Sequence, residues 1–343
     1  MFKNWIRGLL ALGKLIIGLL NYLVFKRTPA FGHQAMISLF CFTSGHSNDL
    51  LSKIISYFKR PYHLVEPSGI LGTMTESRRS QVLTKLNEEG YFIFEERLPE
   101  ELCDRLLKFA TSQVCSMRPM DGDILGKPVR TQYHREAPQS VRYDFDTQDV
   151  IDNHDIQNLF ADMSLVAEAQ DYLKARPVID VTSMWWHTAF SDKPDSEAAQ
   201  YYHFDMDRPK WLKFFIYLTD VEQTNGPHTF VAGSHKSGGI PLSLLKKGYA
   251  RLTDEDVMHN FDKNKIVEFT APRGTIIAED SRGLHKGRHV ENGDRLMLQI
   301  QFSNSLFGGY YSKVRLGNNM TDELKVKITQ FPELYSAYVD FKS

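Results

Sequence analysis

Three residues have the types and spacing to hold a metal: His203 and Asp205 in Tyr202-His203-Phe204-Asp205, and His285 in Gly283-Leu284-His285-Lys286-Gly287. Two positions apart on a strand, the side chains of His203 and Asp205 point to the same side. A histidine from a neighbouring strand would complete a set of two imidazoles and one carboxylate. That set suits non-haem iron(II) and leaves positions open for a co-substrate and oxygen. Alone, a His-x-Asp triplet is weak, since about one arises by chance in a chain with twelve histidines. The surroundings decide its weight.

From Pro177 onward, short β-prone runs alternate with turn signals: Val178–Phe190, Trp211–Val221, His228–Val231, Lys265–Thr270, Thr275–Ala278 and Arg295–Phe302. Short strands at such spacing predict a sandwich or jelly roll. His203 and Asp205 stand just before Trp211–Val221, and His285 stands between the last two runs.

The preceding half reads as mainly helical. Helices are predicted near Asn48–Phe58 and over Thr75–Leu86, the latter capped by Thr75, with Val82, Leu83 and Leu86 on one face and Gly90 at its end. Tyr91–Phe94 is a short strand, and Pro99 opens a further helix. Asp155 is a candidate cap for a helix running to Leu173. Residues 28–73 are otherwise mixed, with turn signals at Arg60-Pro61 and Pro67-Ser68-Gly69. From Thr321 to Phe341 the pattern returns to helix, broken at Pro332.

The chain has 343 residues and a net charge of −1, which carries no basic footprint for nucleic acid. Three cysteines without CxxC spacing fit a reducing cytoplasm better than a disulfide framework or a zinc ribbon. Residues 1–27 are apolar, with Arg7, Lys14 and Asn21 recurring every seven positions on one helical face. The longest uncharged stretch, Leu15–Phe25, is too short to span a bilayer alone. Three readings stay open: an interfacial membrane helix, a helix docked on the protein or in a dimer, and a signal peptide or span.

Taken in order, the motifs resemble the phytanoyl-CoA dioxygenase family. Leu86-Asn-Glu-Glu-Gly90-Tyr-Phe-Ile-Phe94 followed by Leu98-Pro99-Glu-Glu-Leu102 is similar to its N-terminal helix, strand and helix. Phe215-Ile-Tyr-Leu218-Thr-Asp220, Asn225-Gly226-Pro227 and Gly233-Ser234-His235-Lys236 resemble its strand, turn and GSHK segment, and Gly283–Gly287 its distal histidine motif. The likeness covers about residues 75–310, with a core at about 177–305. Residues 1–27, 28–74 and 311–343 are expected to be a helix, an extension and a helical tail outside it.

The resemblance implies a double-stranded β-helix (a cupin-like jelly roll) flanked by helices. It implies iron(II) held by His203, Asp205 and His285, with 2-oxoglutarate as co-substrate. Arg295 matches the arginine that pairs with the distal carboxylate of 2-oxoglutarate; a guanidinium binds a carboxylate bidentately and stays charged. The family spacing to this arginine is eleven residues, and here it is ten, so Arg288 is the competitor. Phe215 is expected in the co-substrate wall. His235 reads as a turn residue, His187 as a satisfied core histidine, and Trp185, Trp186 and Tyr217 as mostly core. The stretch 116–150, with Arg130, His134, Arg135 and Arg142, reads either as an anionic site or as a solvated loop. The expected activity is hydroxylation of a small organic, lipid or lipid-linked molecule, with release of succinate and carbon dioxide. A carboxylate at Asp205 is consistent with that outcome or with another hydrogen-abstraction outcome such as desaturation, because related halogenases lack it. The competing readings are a silent jelly-roll binding module, a cupin-like isomerase or hydrolase, and a membrane scaffold.

Overall fold

The structure, a computed structural model, describes residues 2–118 and 129–339. Part of the basic stretch 116–150 and the last residues of the C-terminal tail therefore lie outside the described residues.

Three helices come first: α1 (Phe2–Phe25), α2 (Ala30–Thr43) and α3 (His46–Phe58). The sequence gives little sign of α2. Its apolar residues form no sharp stripe, and Pro29 at its N-cap offers no side-chain acceptor. A small hairpin, β1 (Ser68–Gly69) and β2 (Gly72–Thr73), precedes α4 (Glu76–Glu89). As expected, the Thr75 hydroxyl accepts from the Arg78 N–H, and Gly90, at φ 92°, ends α4 in the left-handed region. There follow β3 (Tyr91–Arg97), α5 (Glu100–Ser112), β4 (Val114–Met117), β5 (Arg130–Gln132) and β6 (Arg142–Phe145).

The next segment departs from expectation. In place of one helix capped by Asp155 there are three: α6 (Thr147–Asp152), α7 (His154–Phe160) and α8 (Met163–Leu173). Asn153 caps α7, accepting from the Asp155 and Ile156 N–H groups. Asp162 then interrupts the run by accepting from Ser164 and Leu165. A short polar side chain that bonds the backbone ahead of it starts a new helix rather than continuing the old one.

The β-rich half comprises β7 (Val178–Thr188), β8 (Trp211–Tyr217), β9 (His228–Val231), β10 (Ile266–Phe269), β11 (Thr275–Glu279), β12 (His285–Gly287) and β13 (Asp294–Ser303). Between β9 and β10 lie α9 (Leu242–Leu245) and α10 (Asp254–Asn260). After β13, α11 (Asp322–Gln330) and a 3₁₀ turn at Pro332–Tyr335 close the described chain.

An eight-stranded antiparallel sheet has the order β3-β11-β8-β13-β7-β6-β4-β5, and a second sheet has the order β10-β9-β12. The strands alternate between two apolar layers, as a period of two requires. Trp185, Phe215, Tyr217, Ile277 and Met297 pack between the sheets against Phe230 and Phe269. Their neighbours Trp186, Phe214, Ile216, Ala278 and Leu296 face the other way, into the cluster built on α4, α5, α7 and α8. The back of the small sheet is covered by α1, α2 and the α9–α10 segment. This is the jelly roll flanked by helices that the sequence predicts.

Glu168 on α8 is buried, and neither carboxylate oxygen has a hydrogen-bond partner. Burial, with Asp171 nearby, pushes its carboxyl up to about 8. The folded state thus holds a proton that the unfolded chain releases near the ordinary glutamate value. The resulting stability is full below that value and is lost as pH rises towards 8. Glu168→Gln should abolish this pH dependence. Melting curves at pH 5 and pH 9 should show the wild type losing on the order of 5 °C more than the variant; parallel losses would refute the assignment.

Candidate metal centre

His203 and His285 are brought together by backbone alone. Each donates its N–H to the carbonyl of the other, at 2.9 and 2.8 Å. Residues that exchange both bonds lie directly opposite each other across two chains, and the imidazole rings here are 4.3 Å apart, centroid to centroid. Asp205 follows two residues on, its N–H fixed by the Ser281 carbonyl at 2.8 Å. Nitrogen and oxygen donors from His203, Asp205 and His285 all lie within 4.8 Å of one another.

Both imidazoles are set for coordination through Nε2. The Nδ1 of His203 is 3.0 Å from the Tyr201 carbonyl, and that of His285 is 3.0 Å from the Gly283 carbonyl. A carbonyl only accepts, so each Nδ1 carries the proton and each Nε2 offers its lone pair. Burial holds both histidines below their usual pKa and keeps them neutral. For Asp205, burial works against ionisation, but Lys213 chiefly holds the carboxyl below its usual range. Lys213 Nζ lies 2.5 Å from Asp205 and 3.4 Å from Asp207. Two neutral imidazoles and one carboxylate fit a ferrous ion.

The triad opens onto a cavity of about 150 Å³, floored by the inner face of the large sheet. Cross-strand register arranges that face in rows. Arg142, His187 and Arg295 form one row; Ser183, Gln299 and Phe215 form another; Lys213 and Glu279 are paired in a third. The cationic row lies at one end and the aromatic residues lie between.

Arg295 is 1% exposed. Its Nη1 donates to the Gly226 carbonyl, and its Nη2 donates to His187 Nδ1 at 2.7 Å. Its Nε has no partner, and among the described residues no carboxylate pairs with it. Burial lowers its pKa to about 10. Gly287 makes room for this guanidinium, because a Cβ there would lie 2.9 Å from Nη2. Arg295 lies at the start of β13, just after Gly293, which takes φ 70°. Arg288 instead pairs with Glu268 and Glu291. An unpaired buried cation in a cavity this size fits a small carboxylic acid such as 2-oxoglutarate.

Other expectations sort as follows. Phe215 lines the cavity, as does Trp185, whereas Trp186 faces the helices. His187 is both satisfied and pocket-facing: Nε2 donates to the Ala198 carbonyl at 2.9 Å while Nδ1 holds Arg295. His235 does not brace its turn as expected, since its Nδ1 makes no hydrogen bond and abuts Gly90. In the basic stretch, Arg130 pairs with Asp146, Arg135 pairs with Asp294, and His134 is exposed. Of these four, Arg142 is the one that reaches the cavity, lying over the Trp185 ring. Sequence reading missed Lys213 and the buried His228–Glu279 pair, 2.8 Å apart. Nothing in a lone lysine on an apolar run marks it as facing a carboxylate.

The phytanoyl-CoA dioxygenase (PhyH) family matches residues 86–296. The chain belongs to that family. The matched span contains all three triad residues and Arg295. A search of curated proteins finds no match. Solved structures similar to this one include HygX from Streptomyces hygroscopicus with nickel and 2-oxoglutarate bound, at 14% identity and TM-score 0.48, covering 74% of this chain and 94% of that one. EctD from S. alaskensis, in its apoform, is similar at 16% identity and TM-score 0.45, covering 71% and 83%. SnoN, a non-heme alpha ketoglutarate dependent epimerase from nogalamycin biosynthesis, is similar at 16% identity and TM-score 0.45, covering 66% and 83%.

Cobalt(II) titration followed by calorimetry should show Asp205→Ala weakening metal binding by more than the roughly 10–100-fold that substitutions around a metal shell produce. His235→Ala, in a separate cleft with Lys210 and Arg282, should leave affinity unchanged. Equal affinity in wild type and Asp205→Ala would remove Asp205 from the ligand set.

Proposed function

We propose that this member of the phytanoyl-CoA dioxygenase family is an iron(II)- and 2-oxoglutarate-dependent dioxygenase that hydroxylates a small organic, lipid or lipid-linked substrate. The observation that carries this reading is Arg295, a buried guanidinium without a carboxylate partner that faces the cavity into which the His203–Asp205–His285 donors also point. His203, Asp205 and His285 would hold the iron. Arg295 would pair with the distal carboxylate of 2-oxoglutarate, beside Phe215. When bound, these groups couple decarboxylation of 2-oxoglutarate to succinate with oxidation of a substrate C–H bond by oxygen.

The chain's own residues do the positioning. The Tyr201 and Gly283 carbonyls fix the imidazole tautomers. Lys213 keeps Asp205 ionised and oriented. His187 and the Gly226 carbonyl aim Arg295. Trp185 and Phe215 keep the intervening wall apolar and limit water. At about 150 Å³ the cavity suits the co-substrate, and a larger substrate would meet it at the mouth. The three cysteines are free, in keeping with our placement of the enzyme in a reducing cytoplasm.

The decisive measurement is an anaerobic titration of iron(II)-loaded protein with 2-oxoglutarate, followed by visible absorption. A weak charge-transfer band should appear only when both are present. It should be lost or weakened in Asp205→Ala and require at least about tenfold more 2-oxoglutarate in Arg295→Ala. Folded, iron-loaded protein that gives no band would instead support a silent binding module or a cupin-like isomerase or hydrolase. Gly287→Ala should raise the 2-oxoglutarate concentration needed several-fold, by displacing the Arg295 guanidinium, and leave cobalt(II) affinity intact. A parallel loss of both would mean that Gly287 serves the strand rather than the arginine.

A further inference from the structure

Helix α1 rests on the protein along one side only. Leu15 and Gly18 are buried on that side, and α1 and α2 touch by backbone: a Cβ on Gly18 would lie 2.8 Å from the Gly32 Cα. On the opposite side Leu9, Ile16, Ile17, Leu20, Leu23 and Val24 are each 50–71% exposed. At 3.6 residues per turn they form one stripe facing away from the fold. Docking on the protein and meeting an outside partner are therefore compatible, since each uses a different face of the helix.

The exposed apolar surface is concentrated here. Of the 27 large apolar side chains exposed among the described residues, 17 lie within the first 65 positions. Scattered exposed apolar residues need no explanation, but a contiguous patch does. Charge is equally uneven. Residues 1–48 hold five Lys and Arg and no Asp or Glu, in a chain whose net charge is −1. Arg7, Lys14 and Lys246 also border a groove of about 730 Å³ between α1, α2 and α9, whose walls include Leu10, Phe31 and Phe42. Apolar walls with a cationic rim match an anionic amphiphile.

We infer that α1, together with this groove, docks the protein on the surface of an anionic bilayer, with the helix lying along the interface. Ile6–Phe25 is long and apolar enough to cross a membrane, which the uncharged stretch alone would not be. Its attachment to α2 and the presence of Arg7 and Lys14 within it favour an interfacial position. Pairing of two copies would bring two N-terminal segments of the same positive charge together, whereas anionic lipid complements that charge. The inference is independent of the oxygenase reading, because it concerns a surface that needs neither metal nor co-substrate.

Full-length protein would be sedimented with vesicles of phosphatidylcholine, alone or mixed with phosphatidylserine. Binding to the anionic vesicles should be about tenfold or more tighter than to the neutral ones. Ile16→Glu with Leu20→Glu should weaken anionic-vesicle binding about tenfold or more. Arg7→Glu with Lys14→Glu should remove the preference for phosphatidylserine while keeping a far-ultraviolet circular dichroism spectrum like that of the wild type. No sedimentation with either vesicle would overturn the inference. So would resistance to alkaline carbonate extraction, which marks a span, or a dimer that the Ile16 and Leu20 substitutions dissociate while vesicle binding stays unchanged.

Discussion

The two hydrogen bonds exchanged between the backbones of His203 and His285 are the constraint on which the site depends. This is an isolated bridge rather than part of a long ladder. It nevertheless brings the two imidazoles to 4.3 Å, centroid to centroid, with their planes inclined at 50°. Each histidine then takes its proton direction from a carbonyl two residues back in its own chain. The tautomers therefore follow from the backbone path itself, and Asp205 arrives on the same side because it is two residues further along.

The large sheet supplies the complementary order. In an antiparallel sheet, register converts positions far apart in sequence into rows, and a slip of one residue would turn every row to the other face. Here the rows set Arg142 and Arg295 at one end and Lys213 at another, with aromatic side chains between. Burying a cation without a partner is costly unless an anion completes the site. Lys213 has its carboxylates, Asp205 and Asp207, and Arg142 has Asp144. Arg295 has only neutral acceptors. Of these three cations, Arg295 is the one without a carboxylate partner among the described residues.

Much of this is legible in the sequence, for identifiable reasons. Strands buried on both faces read as apolar runs bounded by turns, so β7 to β11 and β13 are visible to within a few residues, whereas the three-residue β12 is not. The distal histidine stands out between its flanking glycines, but the His-x-Asp pair gains weight only from its surroundings and Arg295 only from the family resemblance; Gly283 and Gly287 are small because Phe230 and Arg295 press against them. What escapes is what depends on contact between separate segments. Lys213 on β8 meets Asp205 in a segment outside the large sheet, and His228 meets Glu279 across two different sheets. Helix α2 escapes because its apolar residues meet partners on more than one side, which blurs the 3.6-residue stripe. The break between α7 and α8 turns on whether the Asp162 side chain caps forward, which the residue type permits but does not dictate.

The N-terminal helices, which lie outside the family match, are nonetheless joined to the site. Ala35, Met36, Leu39 and Phe40 of α2 pack in one cluster with Tyr202, Phe204, Met206 and Leu284. Tyr202 and Phe204 flank His203, Phe204 and Met206 flank Asp205, and Leu284 precedes His285. Phe40 stacks on Phe204 at 5.3 Å, and Tyr202 exchanges backbone hydrogen bonds with Leu252, in the segment that runs from α9. The alternation of a strand sends donors inward and these apolar neighbours outward, so the layer that carries α1 is also the layer against which the donor-bearing segments are pressed. Close-packed interiors transmit displacement rather than absorb it. A force on α1 would therefore reach the backs of His203, Asp205 and His285 through a single layer of side chains. In this fold, the helices that carry the exposed apolar stripe and the segments that carry the His203, Asp205 and His285 donors are packed into one apolar cluster.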